Sequence, residues 1–149
     1  MSIFHSINTS ASALTSQRLR MDVISSNMAN VDSTRAELVD GEWVPYKRKS
    51  VVLKANEGGF SSFLNVAMNK GEVGNGVKVS QIVEDETPFK EVYDPEHPDA
   101  DENGYVQMPN VDPLREMVDL ISATRSYEAN VTALNASKSM LMKALEIGK

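Results

Sequence analysis

Glycine and proline are crowded into the middle of this 149-residue chain and are nearly absent from its two ends. Residues 37–109 hold seven of the eight glycines, five of the six prolines and the single tryptophan. Because both residue types interrupt helices, this distribution favours two helical ends that flank a turn-rich β segment. We therefore divide the chain into an N-terminal helix within 1–36, a β-rich insertion at 37–109 and a C-terminal helix within 110–149.

Both ends carry apolar residues at intervals of three and four, which places them along one face of a helix. In the N-terminal segment this stripe consists of Ile7, Leu14, Met21, Ile24, Met28 and Val31. In the C-terminal segment it consists of Met117, Leu120, Tyr127, Val131, Leu134, Leu141 and Leu145. We call the two stripes together the helical seam, because such heptad rows are typical of helices that pack lengthwise on another helix.

Short polar and capping residues predict the inner ends of both helices. The stretch 27–34 is rich in asparagine, aspartate, serine and threonine, whose side chains compete with the helical backbone ladder and predict the end of the first helix there. Asp112 followed by Pro113 predicts the start of the second helix, as an N-cap and a first-turn proline. Glu116 then stands in the first turn, where a negative charge suits the helix dipole.

The predicted fold is α+β. The N- and C-terminal helices form an antiparallel, coiled-coil-like hairpin, and a small β-rich domain is inserted between them. A lone hairpin could satisfy the helical seam internally, or the seam could also pair with neighbouring copies. Leu114, Val118 and Ile121 widen the C-terminal stripe beyond what one partner helix covers, which favours assembly over a solitary hairpin.

Within the insertion, alternating and β-branched residues predict short strands. The predicted strands are Trp43–Lys54, Gly76–Val83, Pro88–Tyr93 and Gly104–Met108. Residues 60–68 have helical spacing and predict a short amphipathic turn.

Composition argues against several classes of function. The chain has no cysteine and only two histidines. It therefore has few candidate ligands for a metal site and few candidate residues for acid–base catalysis. Its net charge of −6 disfavours nucleic-acid binding. No apolar run reaches the ~18 residues of a membrane span, and the first residues lack the pattern of a secretory signal peptide. We expect no enzymatic activity, no cofactor, no metal and no membrane insertion.

The segment 99–104 is the strongest candidate for a ligand site. Asp99, Asp101, Asn103 and Gly104 match four positions of a calcium-binding EF-hand loop, which makes a calcium-binding module one alternative. The last ligand position, however, is Asn110 where a bidentate glutamate is needed. An acidic turn in which Gly104 supplies a positive φ explains the segment more simply.

Four ordered blocks of this sequence resemble the bacterial flagellar rod and hook axial proteins, and among them the proximal rod members. The blocks are Ser26–Arg35 (SNMANVDSTR), Trp43–Arg48 (WVPYKR), Gly104–Pro113 (GYVQMPNVDP) and Ser122–Asn130 (SATRSYEAN). The motif residues that carry the resemblance are Asn27, Ala29, Asn30, Arg125, Tyr127 and Asn130. Ser33 stands at a position where the wider family has threonine, and Arg35 and Ala36 replace its Gly-aromatic pair.

The resemblance implies a structural subunit of the flagellar basal-body rod. Its terminal helices would pack into a coiled coil with self and with other rod proteins, proximal and distal. It would leave the cell through the flagellar type III export apparatus and reside in the cell envelope outside the cytoplasmic membrane. Asn27, Asn30 and Arg125 are the polar residues expected to fix helix register. A non-flagellar helical scaffold or adaptor remains the alternative, because heptads alone do not name a partner.

Overall fold

The computed structural model describes residues 3–56 and 76–147 of the chain. Two long helices bracket the described residues, α1 at Ile3–Ala29 and α2 at Pro113–Ile147. Between them lie the strands β1 (Glu37–Val39), β2 (Glu42–Val44), β3 (Lys49–Ala55), β4 (Val77–Glu84), β5 (Lys90–Tyr93) and β6 (Tyr105–Met108). The α+β class predicted from the glycine and proline distribution is confirmed.

The described strands pair two by two, as β1–β2, β3–β4 and β5–β6. In the antiparallel β1–β2 hairpin Leu38 lies opposite Trp43, and in the antiparallel β5–β6 hairpin Tyr93 lies opposite Tyr105. Asp40 and Gly41 turn the first hairpin with φ angles of 53° and 92°. Asp-Gly is a preferred pair for such two-residue turns, because both central residues need a positive φ.

Most of the predicted strands are observed, with one correction. β4, β5 and β6 lie within a few residues of their predicted bounds. The predicted single strand Trp43–Lys54 is wrong, because the chain leaves β2 after Val44 and re-enters a different sheet at Lys49. Pro45 lies at this break. It has no backbone N–H and therefore cannot donate a hydrogen bond to a neighbouring strand. The short turn predicted at 60–68 lies outside the described residues.

The predicted inner ends of the helices are confirmed. Asp112 caps α2: its Oδ1 accepts from the Leu114 N–H at 3.1 Å, and its carbonyl accepts from the Glu116 N–H at 3.0 Å. α1 ends at Ala29 inside the polar stretch, so Val31 of the helical seam lies in a turn beyond the helix. No helix of the described residues carries an apolar stretch long enough to cross a membrane.

The chain forms two compact units, which we describe separately. Unit 1 comprises the described residues of Met1–Leu19, Val52–Gln81 and Ala123–Lys149, and unit 2 comprises Arg20–Val51 and Ile82–Ser122. The three segments proposed from composition remain a prediction about how the chain is organised.

Small residues fill the interior of unit 1. Ser16, Ala123 and Ser137 are buried, and the Ser6 and Ser137 hydroxyl oxygens lie 3.3 Å apart. Such residues let two helices approach closely. Gly76 also lies close to α1, because a Cβ at this position would clash with Ser12 Oγ, and its φ of 91° is unfavourable for other residues.

The interior of unit 2 combines apolar and polar side chains. Ile24, Tyr46, Val106 and Val111 are its buried hydrophobic residues among those described. Asn27 and Glu116 are fully buried beside them. Because an unpaired buried polar group is costly, both side chains require partners, and these organise the unit.

Candidate assembly surface

An exposed apolar stripe runs along the part of α2 that belongs to unit 2. Leu114, Val118 and Ile121 are 75%, 66% and 61% exposed, and Met117 beside them is about half exposed. Their spacing of four and three residues puts them on one helical face. Several exposed apolar side chains on one face favour a contact site for another macromolecule, whereas single scattered apolar residues do not.

The helical seam is only partly buried within unit 1. The half-buried members there are Ile7, Leu14, Tyr127, Val131, Leu134 and Leu141, whereas Leu145 is exposed. Ala123 is the only hydrophobic residue classed as buried among the described residues of this unit. The apolar faces of the helices in unit 1 therefore keep surface that further helices could cover.

The seam residues in unit 2 divide in the same way. Ile24 is buried, Met21, Met28, Val31 and Leu120 are half-buried, and Met117 is exposed. Some seam residues are therefore covered within the subunit and others are open, a difference that sequence periodicity does not predict. Their assignment to an assembly surface remains a prediction.

A buried polar cluster joins the end of α1 to the start of α2 in unit 2. The Asn27 amide nitrogen donates to the Lys49 carbonyl at 2.8 Å and to Glu116 Oε2 at 3.0 Å. The Asn27 amide oxygen accepts from the Lys49 N–H at 2.9 Å and from the Tyr46 hydroxyl at 3.0 Å. With these bonds the carboxamide uses all of its hydrogen-bonding capacity, which makes the position specific for asparagine.

Arg48 supplies the positive charge of this cluster. Its Nε donates to Glu116 Oε1 at 2.6 Å, and its terminal nitrogens lie 3.6 Å from carboxylate oxygens of Asp85 and Asp119. The backbone N–H of Thr87, its hydroxyl and the Arg48 guanidinium together hold the pKa of Asp85 below its usual value. The same arginine compensates the fully buried carboxylate of Glu116.

Sequence reasoning selected Asn27 but missed its partner Glu116 and the cation that pairs with Glu116, Arg48. Glu116 fitted a helix-dipole role, and Arg48 stood inside the predicted strand Trp43–Lys54 with no role of its own. The residue that could have pointed to Arg48 is Asn110. Its side chain accepts from the Arg48 N–H at 2.8 Å and donates to the Thr87 carbonyl at 3.0 Å. An isolated asparagine after a proline does not by itself indicate such contacts.

The other motif residues have local roles in the described structure. Asn30 closes α1 by donating to the Ser26 carbonyl at 2.8 Å, directly after Ala29. Asn130 makes the equivalent bond to the Ser126 carbonyl at 2.8 Å within α2. Arg125 is exposed and its terminal nitrogen lies 2.9 Å from Glu128 Oε2, an intrahelical pair. Their expected part in helix register between subunits remains a prediction.

The 99–104 segment is a structured acidic turn. Asp99 accepts from Thr34 Oγ1 at 2.7 Å and from Arg35 Nε at 2.6 Å, and Asp101 Oδ1 accepts from the Asn103 and Tyr105 N–H groups. Gly104 has the expected positive φ, 81°. Among the described residues, no group of three or more histidines and carboxylates is arranged to hold a metal ion.

Asp99 should give this turn a pH-dependent attachment to residues 34 and 35. Hydrogen bonds from Arg35 and Thr34 lower the pKa of Asp99 below 3.8. Because the folded pKa is depressed, the stabilisation is present above pH 3.8 and is lost as the pH falls through the folded pKa. We expect an NMR titration of the Asp99 carboxyl to have its midpoint below 3.8, and R35Q to raise that midpoint. R18Q, which alters an exposed arginine of unit 1, should leave it unchanged, and an unshifted midpoint in the unaltered protein would contradict the ion pair.

Comparison with known proteins matches both helical ends of the chain to flagellar rod families. The family described as "Flagella basal body rod protein" matches residues 7–36, and the one described as "Flagellar basal body rod FlgEFG protein C-terminal" matches residues 102–147. These ranges contain the motif residues of α1 and α2.

Full-length relatives agree with these matches. The flagellar basal-body rod protein FlgC of Bacillus subtilis strain 168 is 67% identical over 150 residues, covering 100% of both chains. The protein of the same name from Borreliella burgdorferi is 46% identical over 99% of this chain and 98% of its own length. That of Escherichia coli O157:H7 is 42% identical over 100% of both chains.

Proposed function

Because the chain belongs to the family of flagellar basal-body rod proteins, we propose that it builds the rod by covering its exposed helical faces with those of neighbouring rod subunits. It is a structural component of the flagellar basal body and not an enzyme. These relationships disfavour the non-flagellar scaffold that heptad spacing left open. We infer that its neighbours include copies of itself and the adjoining proximal and distal rod proteins.

The exposed stripe of Leu114, Val118 and Ile121 is the observation that carries this proposal. Covering apolar surface contributes roughly 25 cal/mol for each Å² removed from water, so leaving three large side chains in solvent is unfavourable unless another surface covers them. The half-buried helical seam of unit 1 supports the same conclusion. A rod grows by heterologous contacts that do not close into a ring, and exposed faces on long helices suit such growth.

Ile121 allows assembly to be separated from folding, because its side chain is exposed in the subunit. We expect I121D to change the free energy of unfolding of the purified protein by no more than about 0.5 kcal/mol. In a flagellated strain that lacks its own copy of the gene, we expect the same variant to leave few or no completed rods and to abolish swimming. Rods would be counted by electron microscopy of isolated basal bodies.

The matched control is S122D, which puts the same charge on the neighbouring, exposed and polar position. It should preserve swimming. If I121D cells swim like the parent while the variant protein is present at normal level, the stripe is not an assembly surface.

We also propose that the subunit reaches its site through the flagellar type III export apparatus and resides outside the cytoplasmic membrane. The family relationship supports this route. Within the rod, Asn27, Asn30 and Arg125 are the residues we propose to set the register of the terminal helices, with Asn27 acting through the buried cluster of unit 2.

A further inference from the structure

A groove of about 820 Å³ on unit 2 combines an exposed aromatic face with negative charge. It is bounded by the β1–β2 hairpin, the β5–β6 hairpin and the 99–103 turn. Trp43, which is 56% exposed, and Tyr105 supply its aromatic surface. The fold does not use Trp43 as a core residue, since its cross-strand partner Leu38 is exposed as well.

The charge of this groove is not neutralised within the described residues. Asp99 is compensated by Arg35, but Glu42 and Glu91, which also line the groove, form no ion pair with any described residue. A cation is attracted both to the face of an indole ring and to nearby carboxylates. The groove therefore suits an aliphatic stem that ends in a positive charge, which is the chemistry of a lysine or arginine side chain.

Unit 1 carries a surface of the complementary charge. Lys54 on β3 and Lys78 on β4 are exposed and line one shallow depression of about 450 Å³ with Ala55, Val79 and Ser80. The lysine and arginine side chains of the described residues that form no ion pair with another described residue are Arg18, Lys54, Lys78, Lys90, Arg115 and Lys138. Of these, Lys54 and Lys78 line a depression together.

We propose that the aromatic and acidic groove of one subunit receives the Lys54–Lys78 surface of a second copy of the same chain. This inference rests on the proposed function and adds a contact between β segments to the contacts made by the helices. The two surfaces differ, so the contact is heterologous and leaves a free groove on one copy and a free lysine surface on the other. It can therefore repeat from copy to copy without closing on itself.

Such a contact selects the orientation of neighbours more than it supplies affinity. Exposed ion pairs contribute about 0–1 kcal/mol each, whereas placing like charges opposite each other at an interface costs several kcal/mol. Reversing one side should therefore reduce assembly more strongly than removing the charges would.

The test reverses the charge of each surface separately and then of both surfaces together. We expect K54E/K78E to lower the number of completed rods per cell about tenfold or more, and E42K/E91K to do the same. The variant that carries all four substitutions has the net charge of the unaltered protein and should restore most rods, because the charges are again complementary. E96K/E102K is the control for the acidic side, since both residues are exposed in unit 2 and neither lines the groove.

Circular dichroism of the purified variants separates a lost contact from a lost fold, and the four substitutions lie at exposed positions. Rods at normal number in either double variant would overturn the proposal, as would failure of the fourfold variant to restore them. If these variants assemble normally while I121D does not, the proposed function stands and this contact is wrong.

The absence of cysteine from the chain permits a direct second measurement. Cells would coexpress K78C and E91C, and isolated basal bodies would be treated with a short bismaleimide. We expect a covalent dimer from cells that coexpress the two variants and none from cells that express either variant alone. A pair that assembles into rods but yields no dimer would also overturn it.

Discussion

Replacement of Arg48 by methionine is expected to lower the free energy of unfolding of the isolated protein by about 3–5 kcal/mol. The side chain of Glu116 is fully buried, and its Oε1 lies 2.6 Å from Arg48 Nε. Methionine keeps much of the packing volume but leaves this carboxylate buried without its cation. Asp85 and Asp119 lose a positive neighbour as well. Since small domains are stable by only about 5–15 kcal/mol, a large part of the stability is lost.

Urea unfolding followed by circular dichroism would measure the effect of R48M, and K47M is its matched control. Lys47 is the adjacent residue, its side chain is about half exposed, and its amine lies 4.0 Å from Glu84. K47M should stay within about 0.5 kcal/mol of the unaltered protein. Equal midpoints for R48M and K47M would show that the buried cluster contributes little to the stability of unit 2.

Replacement of Leu134 by aspartate is expected to abolish rod assembly and swimming while the protein is still made. Leu134 is a half-buried member of the helical seam in unit 1. A carboxylate there lies among apolar side chains, and desolvating a charge without a partner costs far more than the leucine contact contributed. The penalty grows when neighbouring helices cover the remaining exposed part of the side chain, so assembly should suffer more than folding of the subunit.

N135D is the control for this substitution, because Asn135 is the next residue along α2 and its side chain is exposed. The control should swim normally. Swimming zones in soft agar and immunoblots of whole cells would give motility and protein level together. Normal swimming of the L134D strain would refute the assignment of Leu134 to the assembly surface.

The helices could be predicted because their signals are local. Asp112 and Pro113 start α2 through a cap and a restricted φ, and both effects act within one turn of backbone. The end of α1 follows from the short polar residues around Asn30, whose side chain bonds back to the Ser26 carbonyl. Strands β4 to β6 were likewise close to their predicted bounds, since alternation and flanking glycine or proline mark them.

Other features could not be predicted because they depend on the partners of a segment. β1 carries no strand signal of its own, and it exists through its pairing with β2 across the Asp40–Gly41 turn. The division of Trp43–Lys54 into two strands depends on separate sheets on either side of Pro45. Periodicity continues to Val31 although the helix stops at Ala29, because a heptad row records spacing and not backbone conformation.

The sequence by itself determined the class of the fold, the inner ends of the helices and the family of the protein. Each of these rests on spacing, capping or motif residues that act over a few positions. Only the tertiary structure decided which apolar residues remain open, and that Asn27, Arg48 and Glu116 meet in one buried cluster. The physical reason is that burial and charge compensation depend on residues far apart in the chain, here by as many as 89 positions between Asn27 and Glu116.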